Sequence, residues 1–109
     1  MTTITIFKSD NGSYKGFTCN GHAGFANYGK DIVCAAISIL VINTVNSLEE
    51  LTGYVADVKA DSNTGYIDCK FNQSLDERSK LLVDSMILGL ENIEQQYGKK
   101  HLKLKFEEV

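Results

Sequence analysis

The chain has 109 residues, with 14 acidic against 11 basic side chains for a net charge of -3, 43% apolar residues and no proline. That length reads as a single domain over 1–109, able to bury roughly two thirds of its extended surface in one core. The acidic balance speaks against a surface built to neutralise many phosphates, so no direct nucleic-acid partner is expected.

The N-terminus has neither a basic nor a long apolar lead segment, and uninterrupted apolar runs are shorter than a membrane span. A cytoplasmic protein with no membrane partner is therefore expected. Cys19, Cys34 and Cys69 form an odd set without C-x-x-C spacing, and His22 and His101 cannot complete a zinc-finger pattern. The expectation is no disulfide framework, no metal and no cofactor.

Residues 3–8 alternate with Ile4 and Ile6 on one face, Ser9-Asp10-Asn11-Gly12 is a turn, and 14–22 resumes an extended pattern, which predicts a β-hairpin. On its second strand Phe17, Cys19 and Gly21 share one face while Thr18, Asn20 and His22 share the other. Asp31 reads as an N-cap opening a long, largely buried helix over 32–52, closed by Gly53. A second hairpin follows at 54–59 and 65–71, placing Ile67, Cys69 and Phe71 together. Ser74-Leu75-Asp76-Glu77 reads as a capping box before a helix with the stripe Leu82, Met86, Leu90, Ile93 and Tyr97, ending at Gly98. The last strand, 101–107, turns Leu102, Leu104 and Phe106 inward. The order ββαββαβ predicts an α+β fold with two helices packed on a largely antiparallel sheet.

The segment from Gly21 to Cys34 carries the chemistry. A thiol attacks well only as thiolate, and a nearby histidine or the positive end of a helix favours that form. With Asp31 as cap, Cys34 falls at the third helical position, where backbone N–H groups lack helical partners and could hold an oxyanion. A helix end is worth about one pKa unit to a thiol, a paired histidine several, so the enzymatic reading rests on His22 reaching Cys34.

The ordinary structural roles stand beside it: a core cysteine at 34, a strand-end histidine at 22, a cap at Asp31 and a packing serine at Ser38. Gly24 and Gly29 read either as turn residues or as hinges of a loop that admits a substrate. Cys19 faces away from His22, Cys69 reads as core and His101 as exposed.

The runs Gly21-His22-Ala23 and Gly29-Lys30-Asp31-Ile32-Val33-Cys34-Ala35-Ala36-Ile37-Ser38 resemble the signature of the Prp family of bacterial ribosomal-processing cysteine proteases. The resemblance implies an endopeptidase that removes a short N-terminal extension from a large-subunit ribosomal protein, the one numbered twenty-seven. It implies His22 as base, Cys34 as nucleophile, and Asp31, Ser38, Gly21 and Ala23 as supporting or substrate-binding positions. It also implies a homodimer, and cleavage after a hydrophobic stretch with paired phenylalanines. The alternative reading is a non-enzymatic, ribosome-associated binding module with a structural cysteine.

Overall fold

The computed structural model describes residues 1–20, 28–61 and 63–109, the side chains of 28–31 excepted. Strands β1 (Thr2–Lys8) and β2 (Tyr14–Asn20) lead to helix α1 (Tyr28–Ser47), which continues as a π-helical turn, Leu48–Thr52. Strands β3 (Asp57–Asp61) and β4 (Tyr66–Lys70), helix α2 (Glu77–Tyr97) and strand β5 (Leu102–Glu108) complete the order. The sheet order is β3-β4-β2-β1-β5, with β1 and β5 parallel and the other neighbours antiparallel. Both helices bury their apolar faces in one core with the sheet: Val33, Ile37, Val41 and Leu48 from the first helical stretch, and Val83, Met86 and Leu90 from α2. They approach closely where Leu40 packs on Gly89; a Cβ added there would lie 2.6 Å from a Leu40 methyl.

One row of the sheet orients everything that follows. Leu104 of β5, Ile4 of β1, Cys19 of β2, Ile67 of β4 and Ala60 of β3 stand in register on the face that the helices cover. The β1–β2 ladder carries a bulge between Phe7 and Lys8, and Gly16, in the same pairing, has φ 155°. A Cβ at Gly16 would meet the Cys69 carbonyl oxygen at 2.4 Å, so only glycine fits.

Several sequence expectations are corrected. Helix α1 starts at Tyr28, so Asp31 lies within its first turn rather than capping it, and Cys34 falls in the second turn. An acidic residue is favourable at either place, because both feel the positive end of the helix. The cap of α2 is Asp76, which accepts from the Ser79 N–H at 2.7 Å, rather than Ser74.

The first helix is also less buried than expected: Ile32, Ile39 and Ile42 are exposed, as are Leu51, Tyr97 and Phe106. Phe106 instead lies under the Lys8 ammonium, 5.6 Å from its ring centroid. Finally, Ile32–Thr52 is long and apolar enough to cross a bilayer by length and composition, a test the count of uninterrupted apolar runs had missed. Part of that apolar surface is used against the sheet, through Val33, Ile37, Val41 and Leu48.

Candidate active site

Cys34 projects from α1 onto the sheet near the start of β1. Its Sγ lies 4.0 Å from Oγ1 of Thr2, a residue wholly buried at the head of that strand. The Thr2 N–H in turn donates to the His101 carbonyl at 3.0 Å, which ties the head of β1 to the residue before β5. Beside them stands Cys19, one residue before the end of β2 and buried, with its pKa pushed up to about 11 by burial and then by the Cys34 charge. Thr2 and Cys19 thus form a buried floor on which the partly exposed Cys34 rests.

Accessibility separates the three thiols. Cys69 is wholly buried and pushed up to about 12, first by burial and then by Asp68 and Asp57, so it has neither the charge nor the access of a nucleophile. Cys19 is excluded on the same grounds. Cys34 is partly exposed and stands at the end of the sheet where β2 stops at Asn20, two residues before His22 in the chain.

Gly21, His22, Ala23 and Gly24 lie outside the described residues, and of Gly29 and Asp31 only the helical backbone is described. Ser38 follows Cys34 by one turn and lines a groove of about 360 Å³ with Ile42, Ala60, Asp61, Tyr66 and Ile67. The four unpartnered N–H groups of α1 belong to its first turn, before Cys34, so the expected oxyanion donors at the thiol itself are not there. Among the described residues no group of three His, Cys, Asp or Glu side chains could hold a metal ion.

Sequence reasoning missed Thr2 and the groove. Ile42 was within reach, since 34, 38 and 42 are spaced by four and share one helix face. The contribution of β3 and β4 was not, because it depends on strand pairing across the sheet.

The comparisons with known proteins place the chain in a family. The family model described as cysteine protease Prp matches residues 1–102. A ribosomal processing cysteine protease Prp of Bacillus subtilis strain 168 is 35% identical over 101 residues, covering 89% of this chain and 90% of its own length. Its counterpart in Staphylococcus aureus strain Mu50 is 31% identical over 98 residues, covering 90% and 92%. Among solved structures, the essential ribosomal processing protease Prp of S. aureus in complex with a substrate peptide is similar with a TM-score of 0.87 at 28% identity, covering 98% of this chain and all of that one. A Streptococcus mutans crystal structure is similar with a TM-score of 0.89 at 29% identity, covering 100% and 99%.

Proposed function

The chain belongs to the Prp family of cysteine proteases, and from that membership we propose that it trims a short N-terminal extension from a ribosomal protein, the large-subunit protein numbered twenty-seven. Membership makes it a cysteine peptidase, which speaks for an enzyme over a non-enzymatic binding module. The observation that carries the reading to a residue is accessibility: Cys34 is partly exposed, whereas Cys19 and Cys69 are buried. The relatives named for ribosomal processing, one of them solved with a substrate peptide, supply the class of substrate.

In the proposed reaction the Cys34 thiolate attacks the scissile carbonyl carbon, and the tetrahedral intermediate collapses to a thioester as His22 gives a proton to the departing amine. His22 then takes a proton from water, whose oxygen attacks the thioester and releases the new carboxylate and the thiolate. Ser38, Asp31 and the residues flanking His22 serve positioning or substrate binding. The proposal includes a cytoplasmic location, where ribosomal proteins are made, and a homodimer. Exposed Ile32, Ile39, Leu81 and Leu88 supply apolar surface for a second copy.

The test is cleavage of a peptide copying the extended ribosomal N-terminus by the purified protein, followed by mass spectrometry. Cys34→Ala and His22→Ala are expected to lower the rate by about three orders of magnitude or more. Cys69→Ala keeps the activity in its folded fraction. Full-rate cleavage by Cys34→Ala would remove the assignment of the nucleophile.

A further inference from the structure

Thr2, beneath Cys34, is a buried polar group that the bond-breaking steps above do not use. Its side chain is wholly buried, and among the described residues the only hydrogen-bond partner of its hydroxyl is Cys34 Sγ at 4.0 Å. A buried hydroxyl is costly unless it is hydrogen-bonded, and valine would fill the same branched shape without that cost. Packing alone therefore gives no reason for a hydroxyl at this position.

The hydroxyl is held in place from several directions. Strand β1 lies between β2 and β5, Thr2 stands opposite Leu102, and its N–H donates to the His101 carbonyl at 3.0 Å. A β-branched side chain on a fixed backbone has few rotamers, and burial removes the room to change between them. Ile4, two residues on, faces the same side in register with Cys19, so Thr2 and Cys19 are the two polar groups of the floor under the sulfur. Cys19 is pushed up to about 11, first by burial and then by the Cys34 charge, and so stays a neutral thiol with a weak S–H donor. The Thr2 hydroxyl is the stronger donor of the two.

A neutral thiol attracts a hydroxyl only loosely, and 4.0 Å is a loose contact. A thiolate is a charged acceptor. Hydrogen bonds to charged groups are shorter and roughly twice as strong as neutral ones, and catalytic contacts often tighten only in the reacting complex. A donor aimed at the charged form favours that form over the neutral one.

We propose that Thr2 is a positioning residue of the nucleophile: its hydroxyl donates to Sγ of the Cys34 thiolate, favours that form and holds the sulfur at the end of the sheet. The hydroxyl keeps its own proton throughout. It releases the sulfur as the thioester forms, and takes it up again when water frees the thiolate. This inference rests on Cys34 as the nucleophile, and alkylation tests it without any substrate.

The test uses the full chain with two variants: Thr2→Val removes the hydroxyl and keeps the shape, and Thr2→Ser keeps the hydroxyl. Cys34 alkylation by iodoacetamide is followed by peptide mapping across the pH range of thiol ionisation. In Thr2→Val the pH midpoint is expected to move upward, so that the rate on the rising limb falls about threefold or more. The alkaline plateau, where Cys34 is fully thiolate, is not lowered. Thr2→Ser keeps the wild-type midpoint. With the peptide substrate, Thr2→Val loses about threefold or more in kcat on the acid limb with KM unchanged, and Thr2→Ser stays within about twofold of the wild type. The thermal midpoint of Thr2→Val is not lowered, because a methyl replaces a buried hydroxyl. An unmoved pH midpoint in Thr2→Val, or a shift that Thr2→Ser shares in full, would make Thr2 a packing residue and overturn the proposal. A wild type that cleaves no peptide, with the midpoint still moved by Thr2→Val alone, would overturn the protease reading and uphold the bond from Thr2 to Cys34.

Discussion

The two helices lie side by side on one face of the same sheet and are held there by different means. Helix α2 is pinned by polar contacts at both ends and in the middle. Asp76 caps it, Ser79 bonds Thr52 at 2.9 Å, Asp84 accepts from Tyr14 and from Lys80 at 3.1 Å, and a Glu94 carboxylate oxygen accepts from the Leu104 N–H at 2.7 Å. Helix α1 has no charged residue from Ile32 through Ser47, and Val33, Ile37 and Val41 hold it by apolar packing. Its free side carries Ile32, Ile39 and Ile42. The thiol and the groove are both on α1. The comparison separates anchoring from chemistry: polar contacts fix a scaffold helix, and the functional helix leans on it through Leu40 and Gly89.

The largest expected effect concerns the thiols. Under native conditions Cys34 should be alkylated at least about a hundredfold faster than Cys19 or Cys69, because a buried thiol reacts only when the structure opens. Peptide mapping after brief iodoacetamide treatment reads this directly. Comparable rates at all three sites would mean that the sheet is as open as the α1 surface, which removes the distinction.

A pair of substitutions two residues apart sharpens it further. Ile37 is wholly buried and Ile39 is 69% exposed. Ile37→Ala should destabilise by about 2–5 kcal/mol. Ile39→Ala should change stability by about 0.5 kcal/mol or less in urea titrations of dilute protein. A cost at Ile39 that grows with protein concentration would show that a second copy covers this face.

Element order was legible because hydrophobic alternation and turn residues mark each hairpin, and the pairing of Ile67, Cys69 and Phe71 on one face follows from strand geometry alone. Cys34 stood out through its spacing from His22 and the glycines between them. The start of α1 was not legible: Asp31 satisfies the preferences of a cap and of a first turn alike, so local chemistry could not decide between them. The exposure of Ile39 and Phe106 was hidden for a different reason. Periodicity reports which residues share a face, and whether that face is covered depends on elements far away in sequence. The groove joins α1 to β3 and β4, so its residues became visible only with the register of the sheet.

The smallest effect tests whether charge anchors α2. Asp76 and Asp84 are both held below the ordinary carboxylate range: Asp76 first by the Ser79 N–H, and Asp84 by bonds from Tyr14 and Lys80 that outweigh the upward push of burial. A carboxylate with a lowered folded value stabilises the fold fully above its unfolded value of about 3.9, and this contribution is lost as pH falls through the folded value. The thermal midpoint should therefore drop as pH falls below about 4. In Asp76→Ala and Tyr14→Phe the midpoint should be lower at neutral pH and the acid limb shallower, since each removes part of what acid would have removed. Ile37→Ala should instead lower the midpoint at every pH by a similar amount, because Ile37 is packed in the apolar core and carries no titrating group. An acid limb in Asp76→Ala as steep as in the wild type would show that the cap acts through geometry rather than charge, and would narrow the difference between the two helices to Asp84 and its partners.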